Sequence, residues 1–520
     1  MVEPTKKTML VSRNPANMQV LGEVAVSSQD EILATVAACR AAQVSWGALS
    51  LCERLRYIER FRATLLARRD ELARLITSET GKPLVESYGA ELFGPLETCQ
   101  SLKGNAPAQL APEKVKLNPI FFRGKKSYNV FEPLGTIAVI SPWNYAFSIP
   151  VCTMLSALAC GNAVVLKPSP KTPLVARAIG ELFAEAGFPA GLVGVVYGDK
   201  EEARILVGSD IDRVVFTGST GGGRAIMGLA AARLRPVTLE LGGKHAAIVL
   251  ADTDVDKVAS AIVWGAFTNA GQACASIERL YVVQPVAKQL AAAVAKLTRQ
   301  LRLGDGLSET TDVGPLIDED QLKRVEAMVA EAKGAAARVI TGGKARRDLG
   351  GYFYEPTVLV NVNPNMRIAR EEIFGPVLPI IVVADEGEAV RLANDSNLGL
   401  GASIYSRDLR AAERLARRIQ AGMVWINDGL YSHTCPDAPW GGIKDSGFGR
   451  THGDLSLYDF VYVKYVGVDR QGVRDWHYPY SKSRLDLVRG GLEFCHATTL
   501  SARLKAAVTA VKAWLGIWRG

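Results

Sequence analysis

The sequence predicts an α/β protein made of two doubly wound parallel sheets with helical additions. Three observations carry that prediction. Short β-branched runs alternate with helical stretches after about residue 136, the alternation restarts near residue 278, and a glycine-rich turn sits where a strand enters a helix. Apolar strands separated by helices form parallel sheets covered on both faces. Before the first sheet, from about residue 28 to 103, apolar residues recur at three- and four-residue spacing (Leu51, Leu55, Ile58, Phe61, Leu65, Leu66), which predicts several helices. After GKKSYNVFEPLG come the strand TIAVISP, a helix from about Val151, then NAVVLKP, the helix VARAIGELFAEAG, and the strands VGVVYG and RVVFTG. The second series begins at ERLYVV (278–283) and continues through helices near 286–301 and 318–333, PVLPIIVV, a helix near 386–396, GASIYS, RAAERLARRIQAG and MVWIND. SLYDFVYVKYVGV (456–468) alternates aromatic and β-branched residues and predicts an edge strand outside both sheets.

A chain of 520 residues that is 48% hydrophobic exceeds one core and is too apolar for disorder, so two or three domains are expected. The eight cysteines (39, 52, 99, 152, 160, 274, 435, 495) form no C-x-x-C pair, which argues against a disulfide framework or a zinc site and for a reducing, cytoplasmic setting. MVEPTKKTML leads into polar sequence without the apolar core of a secretory signal. The net charge is +8, and nine Lys and Arg against three acids in residues 470–520 supply +6 of it. A nucleic-acid-binding body is therefore not expected.

Four stretches carry candidate chemistry. In GQACAS (271–276), Cys274 is either a small buried residue or a nucleophile given room to react. In TLELGGKHAAIVL, Glu240 lies in an apolar strand, where desolvation raises a carboxyl toward the range of a general base; pairing with Lys244 is the structural alternative. SPWNYAF sets Asn144 at the end of TIAVI, where open α/β sheets place ligand crevices, and its amide could serve a developing oxyanion. FTGSTGGG brings Gly218 and Gly223 to a strand-to-helix turn suited to a phosphate. It matches neither the triphosphate loop, since Arg224 and Ala225 follow Gly223, nor the G-x-G-x-x-G fingerprint, since Thr220 replaces its second glycine.

PWN (142–144), KPSP (167–170), FTGSTGGG (216–223), ELGGK (240–244), GQACAS (271–276), EEIFGP (371–376) and PWGGIKDSGFGR (439–450) occur in this order. Together they resemble the aldehyde dehydrogenase superfamily over roughly residues 10–468. The resemblance implies two Rossmann-like domains: a cofactor domain at 1–115 and 136–245 and a catalytic domain at 246–445. Bridging strands at 116–135 and 446–470 and a C-terminal extension at 471–520 complete the expected layout. It implies that Cys274 attacks the aldehyde carbon, that Asn144 holds the oxyanion, and that Glu240 activates the water that hydrolyses the thioester. It places NAD or NADP against Pro142, Trp143, Lys167, Ser169, Gly218, Ser219, Gly223, Leu241, Gly242, Glu372 and Phe374. Pro170 stands where NAD-preferring members often carry a glutamate, which relaxes exclusion of a 2′-phosphate.

Following the family's course, Tyr145, Ile149, Cys152, Ala273 and Ala275 would line a roomy apolar pocket for an aliphatic or aromatic aldehyde. No arginine stands among them to pair a substrate carboxylate, which weighs against a succinate-semialdehyde dehydrogenase. Glu240 weighs against transfer to coenzyme A, and the three chemical residues together weigh against a non-catalytic scaffold. In the tail, Lys505, Thr509, Lys512, Gly516 and Arg519 share one helical face, and Leu504, Val508, Val511, Trp514, Leu515 and Trp518 another. This predicts a basic amphipathic helix that lies on a membrane, covers the substrate entrance or meets a partner subunit, and it resembles extensions of fatty-aldehyde-type members. A homodimer paired through the 456–468 strand is expected from the family.

Overall fold

The computed structural model describes residues 8–119, 122, 124–470, 478 and 480–517. The N-terminal helices Gln29–Ala48 and Leu51–Ala67 each begin with a reciprocal cap: Ser28 with Glu31, and Ser50 with Glu53. Both stop at extended or non-helical residues and bury one stripe, in the second helix Leu55, Ile58, Phe61 and Leu65. Leu66, counted with that stripe from spacing alone, points outward.

Two large sheets follow, in the order of the alternation. Six strands align as Gly447–Phe448, Val237–Glu240, Arg213–Thr217, Thr136–Ile140, Ala163–Lys167 and Val193–Val195. All pairs are parallel except the first, where Gly447 lies opposite Glu240. Thr136–Ile140 and Ala163–Lys167 are buried at every position, as continuous apolar runs between two helical layers must be. The second sheet has seven strands: Arg338–Thr341, Thr357–Val360, Val377–Val383, Ile277–Val283, His245–Val249, Gly401–Tyr405 and Met423–Ile426. Its outer strand Arg338–Thr341 runs antiparallel to its neighbour.

The chain divides into two compact units, Met1–Gln109 with Glu132–Tyr462, and Leu110–Phe131 with Val463–Gly520. Both large sheets fall in the first unit. Residues 446–470, expected to be bridging sequence throughout, split three ways. Gly447–Phe448 joins the six-stranded sheet, Asp454–Tyr458 is helical, and Val461–Asp469 is a strand. The left-handed backbone at Gly447 (φ +104°) turns the chain onto the sheet edge, where any side chain would strike the Leu239 carbonyl.

In the second unit, Lys125–Pro133 is the middle strand between Val461–Asp469 and Glu113–Lys114. The helices Lys482–His496 and Leu500–Ile517 pack on each other through small residues: a methyl on Gly490 would lie 2.8 Å from the Ala510 nitrogen and 3.0 Å from the Ala506 carbonyl oxygen. Ala506 and Ala513 are buried, whereas Leu504, Val508, Val511, Trp514 and Leu515 are exposed. The hairpin is thus held by a stripe that hydropathy did not mark, and the marked stripe faces outward. Trp518 and Arg519 lie outside the described residues.

Candidate active site

Asn144, Glu240 and Cys274 reach one place from three elements. Asn144 follows the strand Thr136–Ile140, Glu240 ends the strand Val237–Glu240, and Cys274 precedes Ile277–Val283. All three line the same groove. The loop to Cys274 passes through Asn269, Ala270 and Gly271, all with left-handed φ of +50°, +54° and +72°. Non-glycine residues hold that conformation only where surroundings impose it. Here Asn269 Nδ2 donates to the Asn144 carbonyl at 3.0 Å and to the Gln272 carbonyl at 3.1 Å, and Gln272 Oε1 accepts the Ile317 N–H at 2.9 Å. At Gly243 a side chain would fall on the Cys274 carbonyl, so ELGGK makes room for the Cys274 loop by lacking one.

The Asn144 side-chain amide donates to the carbonyl of Gln272, two residues before Cys274, at 3.1 Å. The Asn144 backbone carbonyl, which accepts from Asn269, takes a second donor, Lys82 Nζ, at 2.6 Å. Lys82 is fully buried and paired with Glu91 at 2.6 Å. Glu91 also accepts the Phe147 and Ser148 N–H groups at 3.1 and 2.9 Å, placing a carboxylate at the start of the helix Ser148–Ala159, where the dipole favours it. This Lys82–Glu91 brace escaped the sequence reading. Glu91 sits in Ser87–Leu92, one wide π-type turn inside an α-helical run, and apolar spacing carries no mark of such a bulge.

Glu240 is buried, and neither carboxylate oxygen has a hydrogen-bond partner among the described residues. Burial pushes its carboxyl well above the ordinary range, against a smaller opposing pull from Arg450. Lys244 is not its partner: its Nζ donates to Glu278 at 2.8 Å and to the Ile368 carbonyl at 2.9 Å. Cys274 is half-buried, and its thiol is pushed up to about 12 by burial and by the negative charges of Glu372 and Glu240.

The groove encloses about 770 Å³ and is lined by Pro142, Trp143, Gly218, Ser219, Leu241, Gly242, Glu372 and Phe374, with Cys274 among them. Ser219 caps the helix Thr220–Ala231 by accepting the Gly222 N–H, leaving a glycine-flanked positive helix end beside the groove. Glu278 anchors the far wall: its carboxylate accepts the Ile373 and Phe374 N–H groups, which fixes the loop bearing Glu372 and Phe374. Lys167, Ser169 and Gly223 are not among the lining residues. Lys167 Nζ donates to the Pro168 carbonyl at 2.9 Å, and burial lowers it to about 8. Ser169 Oγ accepts the Lys171 N–H at 3.3 Å, and Gly223 is packed under the Leu241 side chain.

Across Cys274 lies a second cavity of about 320 Å³, lined by Tyr145, Ala273 and Ala275, as the resemblance implied, and by Val85, Glu86, Trp264, Thr268, Leu430, His433 and Trp440. Ile149 and Cys152 do not line it. The helix Ser148–Ala159 carries Ile149 to the groove and Cys152 behind the reacting centre. Trp264 lies in none of the stretches singled out from sequence, and Trp440 lies in one only as part of PWGGIKDSGFGR.

Comparison with known proteins fits this geometry. The family profile described as the aldehyde dehydrogenase family matches residues 1–466. The chain is 38% identical over 465 residues to the peroxisomal aminoaldehyde dehydrogenase 1 of Pisum sativum, covering 87% of this chain and 91% of that one. It is 37% identical over 492 residues to the 4,4'-diapolycopene aldehyde oxidase of Methylomonas, covering 94% and 92%. The Mycobacterium tuberculosis aldehyde dehydrogenase complexed with NAD+ superposes with a TM-score of 0.85 at 33% identity, covering 92% and 97%. A cysteine-bearing loop, a buried carboxylate and a capped helix end surround one groove in a chain matched over nine-tenths of its length: this protein belongs to the aldehyde dehydrogenase family.

Proposed function

We propose that the protein oxidises an apolar aldehyde to its carboxylic acid with NAD+ or NADP+, through an acyl thioester on Cys274. One observation carries the reading: Cys274, Asn144 and an unpartnered Glu240 meet between a long groove and an apolar cavity. The groove-lining residues hold the dinucleotide, with the glycine-flanked start of the helix Thr220–Ala231 suited to its pyrophosphate. When bound, the dinucleotide would supply the hydride acceptor and a positive charge to the groove. The Cys274 sulfur, its thiol proton lost to solvent, bonds to the aldehyde carbon, and the side-chain amide of Asn144, whose backbone carbonyl is held by Lys82 and Asn269, donates to the oxyanion. After oxidation Glu240 takes a proton from water, whose oxygen bonds to the acyl carbon as the C–S bond breaks.

The lining of the second cavity supports the substrate class. It holds three large aromatic rings and no lysine or arginine. The only carboxylate is Glu86, already accepting Thr268 Oγ1 at 3.0 Å and the Asn269 N–H at 2.8 Å. A semialdehyde acid finds no cation there. Spectrophotometry at 340 nm with a homologous series of alkanals, benzaldehyde, a 4-aminoaldehyde and succinic semialdehyde checks this. kcat/KM rises with apolar length in the proposed reading; a preference for either charged substrate overturns it. Cys274→Ala abolishes cofactor reduction, and persisting turnover in that variant overturns the mechanism itself.

We infer two further properties from exposed surfaces. The outward stripe Leu504, Val508, Val511, Trp514 and Leu515, beside Lys505 and Lys512, suits an anionic bilayer surface. Sedimentation with phosphatidylserine vesicles in low salt, lost on Val508→Glu/Val511→Glu, is the expected result; equal sedimentation of both proteins overturns it. Val463, Tyr465 and Val468 on the strand Val461–Asp469 are exposed and suit pairing with a second copy. Analytical ultracentrifugation shows a dimer that Val463→Glu splits, whereas a wild-type monomer removes the inference.

A further inference from the structure

Behind the reacting centre is a small cavity of about 30 Å³ that neither the groove nor the substrate cavity explains. Glu240, Cys274, His433, Thr451 and His452 are among the residues that line it. A second void of about 20 Å³ shares Cys152, Thr451 and His452 with the first and runs on to Ser101, Gln109 and the exposed Asp437. A water needs roughly 10–15 Å³ of such space and two to four polar partners. The two voids therefore suit a short file of water molecules.

The polar atoms along this route are unusual in being unspent. Both Glu240 oxygens are buried without a partner, and so is His452 Nδ1. Buried polar atoms are almost always paired with protein or ordered water. The His452 ring bonds to the Ser432 carbonyl and is held neutral by burial and by neighbouring His433. With one ring nitrogen donating, the other is an acceptor. Nδ1 is thus an acceptor on a residue that lines the same void as the general base.

We propose that His452 is a positioning residue for thioester hydrolysis, and that it orders a water file through which Glu240 discharges its proton toward solvent beside Asp437. The proposal rests on Glu240 being the base. In each turnover water's oxygen bonds to the acyl carbon, one water proton passes to Glu240, and the C–S bond breaks with its electron pair on sulfur. Before the next hydrolysis that proton leaves Glu240 and passes along the file to bulk water. His452 Nδ1 accepts from the file without itself being protonated.

The test separates acylation from deacylation. p-Nitrophenyl acetate acylates a reactive thiol directly, so the nitrophenolate burst reads acylation and intact mass of the acetyl-enzyme reads its decay. In His452→Leu the burst keeps its rate and amplitude while decay slows about tenfold, a modest share of what general-base catalysis supplies. In His452→Gln, whose amide both donates and accepts, decay recovers to within about threefold of wild type. The solvent deuterium effect on decay is larger in His452→Leu than in wild type. Unchanged decay in His452→Leu overturns the proposal, as does an equal loss of burst and decay, which marks a merely structural role. Glu240→Gln, run alongside, must trap the acetyl-enzyme; if it decays normally, the base assignment fails, whatever His452 does.

Discussion

At the scale of single residues, the site is built from groups that the fold leaves uncomfortable. Glu240 is the clearest, since a buried carboxylate without a donor is costly in its ionised form. Its folded-state carboxyl titrates above the unfolded one, so its ionisation opposes folding as pH rises. Replacing it by glutamine therefore stabilises the protein, by roughly 1–3 kcal/mol at pH 8. The gain shrinks as the pH is lowered from there and the folded carboxyl takes up its proton. Calorimetric melting of both proteins from pH 8 downward checks the sign, and a Glu240→Gln variant that melts lower at pH 8 contradicts it. Gly243 gives the opposite kind of prediction. Gly243→Ala pushes on the Cys274 carbonyl, so kcat falls by about a hundredfold or more, as sub-ångström misplacement of a nucleophile does. Intact-protein mass after limited alkylation shows whether the thiol has moved.

Among elements, the wall of the groove depends on one buried ion pair. Lys244 and Glu278 neutralise each other, and Glu278 also holds the loop at Ile373 and Phe374. Glu278→Ala leaves Lys244 charged and buried, which costs about 3–5 kcal/mol. The same change frees Glu372 and Phe374, so the KM for the dinucleotide rises more than the KM for aldehyde; equal shifts would place the defect elsewhere. Elements of this kind mark the limit of reading from sequence. The strands were legible because buried parallel strands are continuous apolar runs, and Cys274, Glu240 and Asn144 stood out through motifs with fixed order. The supports did not. Lys82 and Glu91 lie far from the reacting residues in sequence, Glu278 stands only four positions after Cys274, and all three act through burial and pairing, which composition and period do not encode. Cys152 was misplaced for a related reason: its position along the helix Ser148–Ala159 was known, but not which way that helix turns it.

On the scale of the whole molecule, the chemistry is confined to one compact unit while the tail belongs to the other. The two can therefore be perturbed separately. Gly490→Val wedges the close approach of the helices Lys482–His496 and Leu500–Ile517, and limited proteolysis then cuts within residues 482–517 while kcat for a short alkanal is unchanged. A matching loss of kcat would show that catalysis depends on the hairpin. The eight thiols show a second division. Cys39, Cys99, Cys152 and Cys160 are buried, with thiols pushed to about 12 or beyond, and Cys274 shares their high value although it faces a groove. Peroxide attacks the ionised sulfur, so a Cys274 thiol pushed up to about 12 presents little of the form that oxidants attack until turnover ionises it on the proposed mechanism. Damage by reactive oxygen then falls on molecules caught mid-turnover, and an idle population outlasts a working one under the same oxidative stress.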